Sequence, residues 1–265
     1  MGDWPQGVDQ ASWTALTGVQ QAAQPSSSVK TAWTTLIAST DRRATLVSVS
    51  IRPVKGTVHS IRADIGVGGV GSEQVIIPDL LAIGVGNANA VHHYLFPLDI
   101  PAGSRVSARI QANTTLTGGE SPVVGIQLAS GGWIDALAGG GKVSTYGIVG
   151  SGGYGLDLTA SATPGSFGSW AQLSAATERL HRWLAITYVS ANTASIIYYT
   201  RLGVGGAGSE KVIGMRHEVA TPTTLTFMIS SVSYMPVTIP KGSRLAASLA
   251  ADQASKTLKI AVYGA

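Results

Sequence analysis

One stretch of this chain is written twice. Gly66-Val-Gly-Gly-Val-Gly-Ser-Glu-Gln-Val-Ile76 returns as Gly203-Val-Gly-Gly-Ala-Gly-Ser-Glu-Lys-Val-Ile213, an offset of 137 residues. Pro97-Leu-Asp-Ile-Pro-Ala-Gly-Ser-Arg-Val106 returns as Pro236-Val-Thr-Ile-Pro-Lys-Gly-Ser-Arg-Leu245, an offset of 139. Trp33 answers Trp170, and Thr40-Asp41-Arg42 answers Thr177-Glu178-Arg179, at 137 again. Landmarks in one order at nearly constant spacing mean that one structural unit is repeated. The expected organisation is an N-terminal arm over 1–25, a first copy over 26–131, a Gly-rich linker over 132–164 and a second copy over 165–265.

Within each copy the hydrophobic period is two, the period of a strand with one buried face. Val47, Val49 and Ile51 share a face, and Leu184, Ile186 and Tyr188 keep that parity. After the Ile-Pro-x-Gly-Ser turn, Val106, Ala108 and Ile110 alternate with Ser107, Arg109 and Gln111, and Leu245, Ala247 and Leu249 repeat the pattern. Further strands are expected over 57–65, 74–77, 93–96, 123–128, 194–201, 225–230 and 256–262, separated by Gly, Pro and Asn. The fold class is therefore all-β: two tandem antiparallel β-sandwiches, jelly-roll-like because that arrangement manages its sheet edges economically.

The segments outside the repeat carry aromatics of their own. The linker holds Gly139-Gly-Gly141 and Gly150-Ser-Gly-Gly153, which favour flexible connection, yet Trp133, Tyr146 and Tyr154 are embedded in it. With Trp4 and Trp13 of the arm, these are the candidates for docking onto a partner subunit, since aromatic anchors are enriched at interfaces. Trp33 and Trp170 recur and are expected to be core or interdomain anchors.

The repeated glycines formally satisfy G-x-G-x-x-G at Gly66, Gly68 and Gly71 and again at Gly203, Gly205 and Gly208. A dinucleotide site needs the last glycine to open a helix whose amides meet a pyrophosphate. Here Val75-Ile-Ile77 and then Pro78 follow, a strand and a stop. The better reading is a structural loop needing positive φ, with Glu73 and Glu210 anchoring backbone amides; a nest for a small anion or a sugar hydroxyl is the alternative. Gly103 and Gly242 supply the bend of the Ile-Pro-x-Gly-Ser turn. Arg105 and Arg244 are expected to pair inside the domain, with a carboxylate such as Asp64 or Glu73 or with a carbonyl.

Catalytic chemistry has few places to reside. No Cys is present, which excludes thiol nucleophiles and Cys-ligated zinc. None of His59, His92, His93, His181 and His217 recurs at the repeat offset, and His92 and His93 alternate faces on a strand, so no metal or other cofactor is expected. No G-x-S-x-G elbow appears, and a glycosidase pair would have to come from only 14 acidic residues. Charged residues are 12% of the chain, and the excess of 18 Lys and Arg over those acids forms no cluster beyond Arg42-Arg43, which argues against nucleic acid as a partner. Every apolar run falls short of the roughly 18 residues of a spanning helix, so membrane insertion is not expected. The Met1–Gln6 segment lacks a secretory pattern, which makes the sequon at Asn113 idle.

The string Ala63-Asp-Ile-Gly-Val-Gly-Gly-Val-Gly-Ser-Glu-Gln-Val-Ile-Ile-Pro-Asp-Leu80, followed by Phe96-Pro-Leu-Asp-Ile-Pro-Ala-Gly-Ser-Arg-Val-Ser-Ala-Arg-Ile-Gln111, resembles a group of tailed-bacteriophage virion proteins. The resemblance covers most of 30–130 and 165–263. Copy two departs from it at Met215-Arg-His217, where copy one has Pro78-Asp-Leu80, and at Ala247-Ser-Leu249, where copy one has Ala108-Arg-Ile110. A surface property of copy one is therefore expected to be missing from copy two. The resemblance implies virion membership, with assembly in the host cytoplasm, and carries no catalytic residues. The expected role is a non-enzymatic accessory structural protein on the tail, neck or head, contributing to host adsorption and mounted through the arm and copy one. Its expected partners are other virion subunits and further copies of itself, a homo-oligomer with a trimer favoured, and a host surface glycan is a candidate ligand. The alternatives are a capsid decoration protein, a carbohydrate-binding adhesin module and a polysaccharide hydrolase.

Overall fold

The computed structural model describes residues 12–13, 17–21, 29–53, 59–84, 91–113, 122–130, 140–148, 155–192, 196–220 and 227–265. The chain is all-β, and every strand pair is antiparallel. In the N-terminal half the strands are β1 (Ser12–Trp13), β2 (Thr17–Gln20), β3 (Thr34–Ile37), β4 (Leu46–Arg52), β5 (His59–Val67), β6 (Gln74–Gly84), β7 (His92–Phe96), β8 (Val106–Ala112) and β9 (Val123–Ser130). The C-terminal half follows with β10 (Ser144–Tyr146), β11 (Leu156–Thr159), β12 (Ala171–Ser174), β13 (His181–Asn192), β14 (Ile196–Val204), β15 (Lys211–Ala220), β16 (Phe227–Ile239), β17 (Leu245–Ala251) and β18 (Thr257–Gly264).

Each half is a two-sheet sandwich with jelly-roll connectivity. One sheet runs β3-β8-β5-β6; the other runs β1-β9-β4-β7, with β2 also on β9. The C-terminal half repeats this as β12-β17-β14-β15 and β10-β18-β13-β16, with β11 also on β18. The first core interleaves Val49 and Ile51 from one sheet with Ile61, Ile65 and Ile110 from the other, and the second interleaves Ile186 and Ile260 with Tyr198 and Leu249. Each such side chain contributes roughly 1.5–3 kcal/mol by leaving water.

The pairing corrects two expectations. Residues 144–146 and 156–159 lie in the segment expected to be a linker, yet they pair with β18 along Ser144↔Gly264 and Leu156↔Ile260. The arm does the same on β9, through Ser12↔Ser130 and Thr17↔Ile126. Arm and linker are thus counterparts, each supplying the first strand of its sandwich against the last. Such short strands, two to four residues each, are fixed by a partner distant in sequence and leave little periodicity to read. The second correction concerns Pro78. The strand does not stop there but continues to Gly84, which an edge strand allows because its outward amide needs no partner. The register shifts between Ala63 and Ile65, and Asp79 takes a positive φ of 52°.

The two sandwiches meet through a buried seam. On β13 and β18, Ile186 and Val262 face their own core, while Ala185, Ala261 and Tyr263 on the opposite sheet face join the first core. Tyr263 is fully buried; its hydroxyl accepts from Leu81 N at 2.9 Å and donates to Asp79 O at 3.1 Å. Around it, Thr187 Oγ1 donates to the Tyr94 hydroxyl at 2.9 Å, Trp183 Nε1 to Leu95 O at 3.1 Å, and the Tyr234 hydroxyl to His93 O at 2.8 Å. Val143 N donates to Ile76 O at 2.7 Å. The outer face of one sheet in the C-terminal sandwich therefore caps the gap between edge strands β6 and β7 of the other.

Candidate functional site

The repeated motif builds the same device in both halves. Gly68 and Gly71 have φ of 128° and 79°, and Gly205 and Gly208 have 121° and 80°; other residues adopt such values only under strain. Gly66 serves differently: a Cβ there would lie 2.7 Å from Trp33 Cη2, and at Gly203 2.8 Å from Trp170 Cη2. The two tryptophans are thus half-buried lids on the outer sheet faces, rather than core or interdomain anchors. The seam is anchored instead by Trp183, Tyr234 and Tyr263.

Glu73 begins the turn into β6, and Arg105, just past the bend at Gly103 (φ 77°), reaches it from the start of β8. Arg105 Nη1 donates to Glu73 Oε1 at 2.6 Å and Nη2 to Thr35 Oγ1 at 2.7 Å. In the other half, with Gly242 at φ 82°, Arg244 Nη1 donates to Glu210 Oε1 at 2.7 Å and Nε to Gln172 Oε1 at 3.1 Å. The Arg105 hydrogen bond, against a smaller burial effect, holds the Glu73 carboxyl below its usual range. At Glu210 burial pushes upward most strongly, but Arg244 and the backbone amides outweigh it and the net shift is down. Since strands β6 and β15 follow these loops, no helix N-terminus meets a phosphate, and the loop's own carboxylate and arginine neutralise each other.

Asp64 does not pair with Arg105. It centres a second cluster on the outer face of the first sandwich, where Lys30 Nζ lies 2.6 Å from both Asp64 Oδ1 and Asp79 Oδ1, and Arg109 Nε lies 2.8 Å from Asp64 Oδ2. The Arg109 guanidinium also sits 4.6 Å above the Trp33 ring. Burial alone would raise the Asp64 pKa, but Lys30, the Asp79 amide and Arg109 together bring it below its ordinary value. A glycosidase general acid needs the opposite shift; Asp64 is instead held as an anion by its two cations. In the C-terminal sandwich Arg201 stands at the Asp64 position and stacks on Phe167 and Trp170 at 4.2 and 4.5 Å. The charged cluster is therefore private to the first sandwich, and sequence reasoning found only its Asp64 member because Lys30 comes from a segment with no repeat signal.

Of the aromatics expected to dock a partner, Tyr146 is a correction. It belongs to the second core, and its hydroxyl lies 2.7 Å from His181 Nε2. It became core because β10, which carries it, pairs with β18. Trp13 lies on β1; Trp4, Trp133 and Tyr154 fall outside the described residues. His92 is buried against Ile83, with Nε2 3.1 Å from both its N and O, while His93 is exposed. Among the described residues no group of three or more His, Asp or Glu is gathered for a metal.

The fold and these sites define a tandem jelly-roll protein. No family model and no curated protein matches the chain. Among solved structures it is similar to PNGF-II, with 8% identity and a TM-score of 0.44 over 94% of this chain and 64% of that one. The chain thus spans less than two thirds of PNGF-II. It is also similar to a structure of infectious bursal disease virus strain Gx (8% identity, TM-score 0.29, covering 98% and 74%). A third likeness is to the CBM22-1–CBM22-2 tandem of Paenibacillus barcinonensis Xyn10C (9% identity, TM-score 0.23, covering 93% and 92%).

Proposed function

We propose that this chain is a non-enzymatic accessory structural protein on the surface of a tailed-phage virion, present in several copies and contacting other virion subunits. The observation that carries the reading is the commitment of its buried charge to the scaffold. Asp64, Glu73 and Glu210, the most buried ion-paired carboxylates among the described residues, each hold a cation within 2.8 Å. Carboxylates bound this way reinforce a fixed shape and are not themselves poised as proton donors. The seam supports the same reading, because an interface built on a fully buried tyrosine and backbone hydrogen bonds makes a rigid two-lobed body rather than a hinged pair. The motifs around Gly66 and Arg105 supply the likeness to virion proteins.

The test is to raise antibodies against the purified chain and label intact particles of the phage whose genome encodes it, with electron-microscopic readout. Label at one regular position on every particle is the expected result. Particles that carry no label, while lysate contains the free chain, would overturn the proposal.

A further inference from the structure

The two sandwiches differ at corresponding sheet edges, β6 and β7 in the first and β15 and β16 in the second. In the first, Tyr94 fills the space between β6 and β7: fully buried, stacked on Phe96, edge-on to Tyr263, with its hydroxyl donating to Leu81 O. Strand register shows what stands there in the second. Val49 pairs with Tyr94 and Ile186 pairs with Ser233, and Val49 and Ile186 are 137 residues apart, so Ser233 occupies the place of Tyr94. By the same reasoning Gly214, opposite Leu202, replaces Ile77, opposite Ile65, and Thr200 replaces Ala63.

A phenol and a sec-butyl group have been exchanged for a hydroxymethyl group and a hydrogen. Met235 moves over Gly214, where a Cβ would lie 2.2 Å from its Sδ, but it does not fill the gap. A cleft of about 120 Å³ remains between β15 and β16, floored by Ile186, Tyr188 and Leu202. An enclosed cavity of roughly 150 Å³ admits benzene; this cleft is smaller but open at its mouth, so a ring can enter it from outside without being wholly enclosed. Thr200 Oγ1 and Ser233 Oγ line the cleft, and both are buried with no hydrogen-bond partner, a rare condition for native polar groups. At the rim Met215 is 64% exposed, while Tyr234 belongs to the seam, its ring stacked on Trp183.

We propose that this cleft is a binding site for one phenolic ring, the side chain of a tyrosine carried by a neighbouring subunit. The cleft is the vacated place of a tyrosine ring, and its two unpartnered hydroxyls suit a ring that brings its own hydroxyl. The first sandwich supplies the precedent, since its edge receives Tyr263 from a different sandwich and binds that hydroxyl through Leu81 N and Asp79 O. The exposed Met215 side chain at the mouth offers an apolar contact that a protein cover would bury. The proposal rests on the multi-subunit reading above only for the source of the ring.

The test is an NMR titration of the full chain carrying methyl-labelled methionine, with p-cresol, toluene, N-acetyltyrosinamide and methyl glucoside as probes. Saturable shifts at Met215 and Met235 are expected with p-cresol and N-acetyltyrosinamide, with toluene about fivefold weaker, the worth of one hydrogen bond. Ser233→Tyr should abolish binding by restoring the ring; if that variant does not fold, Ser233→Leu serves as a smaller plug. No saturable shift with p-cresol, or undiminished binding in the plugged variant, would overturn the site. Binding of p-cresol with exclusion of N-acetyltyrosinamide would overturn the protein source, and binding of methyl glucoside alone would replace the phenol with a sugar. A negative titration leaves the particle-labelling result untouched, and unlabelled particles leave the titration untouched.

Discussion

Tyr263 gives the sharpest test of the seam. Its hydroxyl satisfies one buried amide and one half-buried carbonyl on β6, so Tyr263→Phe keeps the ring and leaves both groups short of a partner, at a cost of about 1–3 kcal/mol. Tyr263→Ala also removes a fully buried ring packed edge-on against Tyr94 and Phe96 at 5.4 and 6.2 Å, and truncating a core aromatic costs about 3–5 kcal/mol. For a chain of this size each kcal/mol lowers Tm by about 2–4 °C. Calorimetry should show one cooperative transition for the native chain, a lowered single transition for Tyr263→Phe, and two transitions for Tyr263→Ala as the sandwiches uncouple. Hydrogen exchange at the Leu81 amide should accelerate in both variants. A Tyr263→Ala protein that melts within about 1 kcal/mol of the native one, with the Leu81 amide still protected, would refute the rigid-body reading.

The other expectations concern the loops and pH. Gly66→Ala meets Trp33 Cη2 at 2.7 Å and should lose about 1–3 kcal/mol by overpacking. Gly103→Ala meets nothing within 4 Å and loses only the left-handed backbone cost of about 1–2 kcal/mol. Denaturant melts should therefore show Gly103→Asn recovering stability relative to Gly103→Ala, and Gly66→Asn failing to do so. Arg105→Ala strands the Glu73 carboxylate, so adding Glu73→Gln to it should restore part of the lost Tm; a double variant worse than the single one would contradict the pairing. Burial lowers the pKa of both His92 and His181 to about 4 from an ordinary 6.5, with Arg179 adding to the effect at His181. Both are neutral in the folded chain and protonate on unfolding, so stability is complete above about pH 6.5 and falls as pH drops toward 4. A melting temperature flat across that window would refute their burial.

Much of the architecture was legible because duplication and alternation are local or countable. Val49 and Ile186 fall at the same phase of matched strands, and the period-two pattern alone tells which face of each meets a core. The glycines were legible as loop residues, but their separate roles were not: Gly68 is required by its φ and Gly66 by the ring of Trp33, 33 residues earlier, and only the folded arrangement distinguishes the two. Asp64 and Glu73 were equivalent partners for Arg105 in the sequence, since no spacing rule relates charges on different strands. Tyr146 looked like a free aromatic in a glycine-rich spacer because a three-residue strand is stabilised by its partner rather than by its own pattern.

The sequence by itself determined that one strand-rich unit is used twice, because repetition and hydrophobic period are properties of a single dimension. Tertiary structure decided which sheet face of the second sandwich covers which edge of the first, and hence that Tyr94 sits beneath a seam while Ser233 leaves a cleft. The seam joins side chains more than a hundred residues apart and the cleft joins strands spread over residues 186 to 235, and in both packing volume and unpaired hydrogen-bonding groups, rather than local preference, set the free energy.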